Sequence, residues 1–561
     1  MLKTYTYPKY TYNRPTELSG AAPRRYPVII VGAGPVGLTA ALDCQLQGIP
    51  VIVLDDDETV SVGSRGLCYA KRALEILDRV GVGDAVVNKG VEWNVGRTFF
   101  GEKEVYNFNL SPEPDHKRPG MINLQQYYLE QFLVDRCNQM GVEIRWKNKV
   151  TSVSSDAPDS VALDVETPDG TYHVETDWLI VCDGARSPIR TMMGLDIDGK
   201  VFMDRFLIAD VVMKADFPAE RWFWFDPPFH RNQSVLLHRE ADNVWRIDFQ
   251  LGWDADPQAE KQPERVIPRI KAMLGEDREF DLEWVSVYTF QCRRMNRFNR
   301  GRVLFAGDAA HQVSPFGARG ANSGVQDTDN LVWKLKLVIE GKSPASLLDT
   351  YSDERCWAAD ENILNSTRST DFITPKSNAS KTIRAATLQL AQKHAFARKL
   401  VNSGRLSVPA FYTGSVLNTP DNDTYAGMME PGAPMDDAPV RMNGHDAVDG
   451  WLLDHLGNRF HAVLYVEDVS CVDVDALMRL RDGVIGIEPI IITPGAAAVP
   501  GITTLHDGKG RFAQRYDASD GTVYLARPDQ HVAARWRAFD TARIRAAVQR
   551  ATGNADHAGT A

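Results

Sequence analysis

Apolar positions along the chain fall into two alternating patterns. Short apolar runs at 28–31, 51–54 and 178–182, each ending at glycine or aspartate, predict buried strands. Between and after them the apolar residues recur at helical spacing, over 35–47, 70–80 and 123–140. Residues 161–165 and 172–174 alternate instead, around Pro168-Asp169-Gly170, and predict a hairpin. Strands and helices in this alternation predict an α/β chain built on a mostly parallel sheet.

From about 200 to 288 the texture turns β-rich and aromatic, with Trp222, Phe223, Trp224, Phe225, Trp245, Phe249 and Trp253, and predicts a second sheet. Within it, alternation puts Leu236, His238 and Glu240 on one face and separates Arg246 and Gln250 from Trp245, Ile247 and Phe249. One such face can floor a pocket, although aromatics are more often core and a lone histidine is more often a satisfied sheet residue.

A further strand at 303–306 leads through a glycine-rich loop into a helix starting near Gly320, with Val325, Leu331, Val332 and Leu335 on one side. Helical segments follow at 358–373 and 382–402. The stretch 419–439 is rich in Pro, Gly and Asp and reads as a linker. Beyond it, strands at 462–466 and 485–492 and helices at 474–480 and 531–550 predict a small α/β domain. The expected organisation is an arm at 1–26, one discontinuous domain at 27–200 and 290–418, an inserted β-sheet domain at 201–289, the linker, and a C-terminal domain at 440–561.

Charge narrows the partners. A net charge of -11 with no basic tract argues against nucleic acid. The seven cysteines are scattered without a Cys-x-x-Cys pair, and no histidines stand at ligand spacing, so neither a disulfide framework nor a metal site is expected. No apolar run is long enough to span a membrane, and the first residues lack a signal-peptide core; a cytoplasmic location is the default.

Three places carry candidate chemistry. Gly32-Ala33-Gly34-Pro35-Val36-Gly37 stands between a strand and a helix, the context in which G-x-G-x-x-G binds a dinucleotide: one glycine turns, the next admits a pyrophosphate, the third packs helix on strand. Asp55 ends the next strand, where an acid binds ribose hydroxyls; Asp56 or Asp57 could do so instead, or Asp55 could be merely solvated. Arg65, ahead of the 70–80 helix, could pair with phosphates, edge a flavin or remain a surface arginine.

Asp183-Gly184 closes a buried strand, where ligands of such sheets collect, or caps the helix near 187–192. The third place is Gly307-Asp308-Ala309-Ala310-His311, followed by Pro315-Phe316-Gly317-Ala318-Arg319-Gly320-Ala321-Asn322. Asp308 is set to accept a sugar hydroxyl beside a phosphate, and the unpaired N–H groups of the following helix suit an anionic flavin edge. The plain alternative is an ordinary strand-to-helix turn.

In this order and spacing, the three motifs resemble those of the single-component FAD-dependent aromatic hydroxylases, the para-hydroxybenzoate hydroxylase family. Length and tail are most similar to those of the 3-(3-hydroxyphenyl)propionate hydroxylases and phenol-type monooxygenases, whose C-terminal domain is thioredoxin-like without redox cysteines. The resemblance implies a Rossmann-like FAD-binding domain with an inserted substrate-binding sheet, and FAD as cofactor. Gly32, Gly34, Pro35 and Gly37 would hold the pyrophosphate and Asp55 the adenosine ribose. Arg65 and Gln126 would touch the flavin, Asp308 the ribityl chain, and Asp183 would lie between FAD and a visiting nicotinamide.

Pro315, Gly320, Ala321 and Asn322 would border the isoalloxazine, with Arg319 departing from the Gln or Lys of relatives. The implied reaction uses NADH or NADPH and O2 to hydroxylate a phenolic substrate through a flavin C4a-hydroperoxide, in a homodimer. His238, Arg246 and Tyr288 are the candidate substrate-side residues, and Trp222 or Trp224 candidate walls that keep the site dry. A flavin-dependent halogenase, suggested by Trp222-Phe223-Trp224-Phe225-Asp226-Pro227, and a non-catalytic flavin-binding or oligomerisation protein are the alternatives.

Overall fold

The computed structural model describes residues 4–20, 24–110, 113–215, 217–404, 406–443 and 449–555. The expected arm and C-terminal domain therefore each fall partly outside the described residues.

Its first layer is a sheet whose parallel core runs Val303–Phe305, Gly170–Val181, Arg24–Val31, Val51–Leu54, Glu143–Arg145. The paired stretches 28–31, 51–54, 178–181 and 303–305 are apolar and buried, and helices such as Pro35–Leu46 and Gln126–Gln139 share their core. Val161–Thr167 pairs antiparallel with Gly170–Val181, so the hairpin's second arm and the buried strand before Asp183 are one continuous strand. The carboxyl ends of Arg24–Val31, Gly170–Val181 and Val303–Phe305 lie side by side, which brings the three glycine-bearing turns to one edge.

The second layer is an eight-stranded sheet: His311–Gln312, Asp281–Arg294, Asp198–Val212, Val244–Gly252, Ser234–Arg239, Arg221–Phe225, Val95–Phe100, Lys103–Asn109. It takes in residues well outside 201–289, because Val95–Phe100 joins Arg221–Phe225 as a parallel neighbour. One face carries Leu207, Ala209, Val235, Leu237, Trp245, Ile247 and Phe249 against Val266 and Ile270 of the helix Pro263–Leu274. Trp222 and Trp224 lie in that outer cluster, so they do not wall the flavin side; Phe223 and Phe225 pack on the opposite face with Phe316.

The third layer is a seven-stranded mixed sheet. Phe460–Tyr465 runs parallel to Ile487–Thr493 and antiparallel to Val523–Ala526, which pairs with Val532–Trp536. With helix Val474–Met478 between the first two strands and Thr541–Ala551 after the last, this is a thioredoxin-like arrangement. The helix expected over 531–550 is thus a strand and a shorter helix. Val532–Trp536 is buried throughout, which a one-sided surface helix would not be, and Asp540 caps the helix by accepting from the Ala542 and Arg543 N–H groups. The lone cysteine there, Cys471, is exposed.

The N-terminal arm is laid across the first two layers. Tyr5 stacks on Tyr127, Thr4 bonds Glu283, and Tyr7 accepts from the Gly63 N–H. Among the described residues no helix is long and apolar enough to cross a membrane.

Candidate active site

The first turn is shaped by contacts that only glycine tolerates. Gly32 has φ +106°, and a Cβ there would stand 2.4 Å from the Cys182 carbonyl oxygen; one on Gly37 would stand 1.9 Å from the Gly32 oxygen. At Gly34 nothing lies within 4 Å of such a Cβ, so the loop opens there, just before Pro35 begins the helix. This opening at a helix N-terminus fits a pyrophosphate.

Asp55 reaches back to the same loop. Its Oδ2 accepts from the Ala33 N–H at 2.5 Å and its Oδ1 from the Asp57 N–H at 2.9 Å, while Asp56 and Asp57 are exposed. Burial pushes the Asp55 carboxyl up to about 6 against the pull of those donors. Asp183 caps its helix as well as closing its strand: Oδ2 accepts from the Ile189 N–H at 3.1 Å. Its Oδ1, buried and without a partner among the described residues, remains an acceptor for a bound group.

The third turn rests on a buried ionic cluster that the sequence did not reveal. Gly307, at φ +62°, donates its N–H to Asp327 Oδ2 at 2.8 Å; His311 Nε2 lies 2.7 Å from the same oxygen, and Arg355 Nε donates to Oδ1 at 2.6 Å. Burial alone would raise the Asp327 carboxyl, but His311 and Arg355 outweigh it and hold it low. Helical spacing marks Asp327 as polar on a mostly buried helix, which was the available signal.

Asp308, next to that turn, is exposed, yet burial pushes its carboxyl up. Its open side is therefore a concavity rather than bulk solvent. A Cβ on Gly320 would stand 3.9 Å from Asp308 Oδ1, so the acid lies against the start of helix Gly320–Ile339. Along that rim Pro315 is exposed and Gly320 and Ala321 are half-buried. Asn322 is buried and ties the helix to strand Cys68–Ala70, accepting from the Ala70 N–H and donating to the Cys68 carbonyl, both at 2.8 Å. Arg319 is buried and bonds Asn362 and the Leu406 carbonyl, so its charge is engaged by the protein.

Arg65 is exposed on a loop held by others. Gln126 Oε1 accepts from the Gly66 N–H at 2.8 Å, and Arg246 donates to the Ser64 carbonyl. Arg246 is buried and paired with Asp210 at 2.9 Å and Glu240 at 3.3 Å. His238 is buried beside Asn123 Nδ2 at 3.3 Å; burial first, then Arg221 and Arg246, push its imidazole well below its usual range, so it is neutral. These two residues stand behind the loop.

Tyr288 is placed differently. It is 48 % exposed, while burial and then Asp308 push its phenol up and Arg65 pulls it down. Tyr288, on the second sheet, is thus within electrostatic reach of Asp308 beside the third turn and of Arg65.

The FAD binding domain family matches residues 25–366. The chain belongs to this family. A 3-(3-hydroxy-phenyl)propionate/3-hydroxycinnamic acid hydroxylase of Mycolicibacterium smegmatis is 26% identical over 91% of each chain. A 12-dehydrotetracycline 5-monooxygenase/anhydrotetracycline 6-monooxygenase of Streptomyces rimosus is 32% identical over 59% of this chain and 66% of its own. The crystal structure of the flavin-dependent monooxygenase PieE with FAD and substrate superposes with a TM-score of 0.80, at 23% identity, over 95% of this chain and 100% of that one.

This member of the family is a FAD-dependent monooxygenase served by NAD(P)H. Its own atoms suit the cofactor: the open Gly34, the free Asp183 Oδ1 and the cleft-facing Asp308 lie on one sheet edge.

Proposed function

We propose that this flavoprotein hydroxylates a phenolic ring bound between the second sheet and the Pro315–Asn322 rim, with NADH or NADPH as the electron source. The supporting observation is that Tyr288, half-exposed on the second sheet, stands within electrostatic reach of Asp308 and Arg65, the residues expected to touch the flavin. A relative aligned over nine-tenths of both chains is named for hydroxylating phenolic acids, which favours the same class.

When bound and reduced, FAD supplies the activated oxygen; the protein binds, orients and keeps the site dry. Gly32, Gly34 and Gly37 admit the pyrophosphate, Asp55 takes ribose hydroxyls and Asp308 the ribityl chain. Gln126 and Arg246 fix the Arg65 loop beside the ring. Phe206, Phe223, Phe290 and Phe316 close one end against water. A cytosolic homodimer belongs to this reading through the family resemblance, and light scattering at twice 62.5 kDa checks it.

The test is anaerobic flavin reduction by NADH and by NADPH across a panel of phenols, with product mass measured in air. A phenol that speeds reduction and gains one oxygen supports the reading. A yellow protein whose flavin is bleached by neither nucleotide with any phenol, or that only releases peroxide, overturns it.

A further inference from the structure

Strand Val244–Gly252 crosses the middle of the second sheet, and its inward face carries Arg246, Asp248 and Gln250. Register fixes the neighbours. Asp248 stands opposite Leu236 on one side and Ile208 on the other, and Ile208 stands opposite Ser286. Residues paired across antiparallel strands share a face, so Leu236, Asp248, Ile208 and Ser286 form one row facing the flavin domain. The next row holds Gln250, Phe206 and Tyr288, the last within electrostatic reach of Asp308 and Arg65.

Three of the four residues in the first row, Asp248, Ile208 and Ser286, are only half-buried, although they sit in central strands. Trp245, Ile247 and Phe249 point to the other face and pack there against Val266 and Ile270 of the helix behind them, so the half-buried row lies on the flavin-domain side, where a substrate cavity would have to sit. Asp248 brings a charge to that side. Its Oδ1 is buried with no partner among the described residues, whereas the neighbouring carboxylates Asp210 and Glu240 are paired with Arg246.

We propose that Asp248 is the catalytic residue that receives the phenolic O–H of the substrate in this cavity and takes its proton. The inference rests on the chain being a phenol hydroxylase. The O–H bond breaks, the proton passes to a carboxylate oxygen of Asp248, and the electron pair stays on the phenolic oxygen. There it raises electron density at the ring carbon that accepts the new oxygen. The acid returns the proton to water as product leaves.

Other groups nearby are unsuited to this task. Arg246 has no basic form at working pH, and His238, buried against Asn123, is a weak base because burial and then Arg221 and Arg246 push its imidazole well below its usual range. Tyr288 is a raised phenol, and so an acid rather than a base.

The titratable and charged groups around Asp248 are Arg246 on its own strand, Asp210 on Asp198–Val212, Arg221 on Arg221–Phe225, Glu240, and the thiol of Cys68, which burial pushes up to about 12 and keeps neutral. Burial, followed by Arg246 and Arg221 pulling down and Asp210 pushing up, leaves the Asp248 carboxyl at about 7, where a general base works well.

The experiment compares wild-type holoenzyme with Asp248→Asn and Asp248→Glu, using a phenol that the wild type hydroxylates and ring-substituted analogues of lower pKa. FAD content by absorbance reports folding. We expect Asp248→Asn to keep its flavin and to lose about 100-fold in kcat with a smaller change in KM, the range seen when a general base is removed. The loss should shrink as the phenol becomes more acidic. The wild-type rise in kcat/KM through about pH 7 should flatten in Asp248→Asn, and Asp248→Glu should recover part of the rate.

A uniform loss across all phenols with the pH limb intact, or full activity in Asp248→Asn, overturns the proposal while leaving the hydroxylase reading in place. A wild type that hydroxylates no phenol overturns both.

Discussion

Single residues at this site act mostly through backbone they hold in place. Gly37 leaves no room for a Cβ, so Gly37→Ala should yield a chain that binds little or no FAD, whereas Gly34→Ala, with open space around it, should fold and weaken FAD binding only. Absorbance of the purified proteins separates the two. Asp55 adds a pH dependence. Burial raises its carboxyl to about 6, and ribose hydroxyls favour the ionised form, so FAD binding expels the proton when the acid is protonated. FAD affinity should therefore fall as pH drops below about 6, and Asp55→Asn should bind about tenfold more weakly with that dependence lost, since a hydrogen bond to a charged group contributes about 1.5 kcal/mol or more. Titration of the apoprotein with FAD at several pH values checks both.

At the scale of elements, the turn after Val303–Phe305 depends on two helices far from it in sequence. Asp327 on Gly320–Ile339 is buried and bonds both His311 and Arg355 of Leu347–Ile373 directly. Arg355→Ala leaves Asp327 buried beside His311 alone, and removing one partner of such a cluster costs about 3–5 kcal/mol. The variant should release flavin at a lower temperature than wild type, read by flavin fluorescence on heating.

The glycine-rich turn was legible in sequence because its constraints are local: strand, glycines and helix adjoin. The Asp327 cluster was not, since its members come from separate elements and nothing in 327 or 355 names the partner. The same limit applied to the second sheet. Alternation correctly told which residues share a face, including Arg246 with Gln250, but not that Ser64 and the Asp210 carboxylate engage Arg246 while Asp248 between them keeps an oxygen without a partner among the described residues. The strand Val95–Phe100 was also hidden, because its parallel partner lies more than a hundred residues on.

For the whole molecule, the C-terminal domain is joined to the flavin domain by buried charge rather than by a wet seam. Arg527 bonds Glu354 at 2.7 Å and Asp529 at 2.6 Å, and Lys334 bonds Glu354 at 2.8 Å. Arg72, on the helix after Cys68–Ala70, donates to the Asp529 carbonyl and to Gln530. Trp333, Leu337 and Leu347 of the flavin domain sit in the core of the third sheet. A chain ended after Asn418 would leave these apolar groups in water, and should be insoluble or flavin-free.

Arg527→Ala is the finer probe. Burial alone would raise Glu354, but Arg527 and Lys334 outweigh it and hold the carboxyl far below its usual range. A lowered carboxyl contributes stability above its unfolded pKa of about 4.3 and loses that contribution as acid protonates it. Wild type should thus exceed Arg527→Ala by about 3–5 kcal/mol near neutral pH, with the gap narrowing below about pH 4. Urea unfolding followed by tryptophan fluorescence at both pH values measures this. A gap independent of pH would mean that the arginine acts through packing on Trp333 and Tyr412, over which its guanidinium also lies, and not through Glu354.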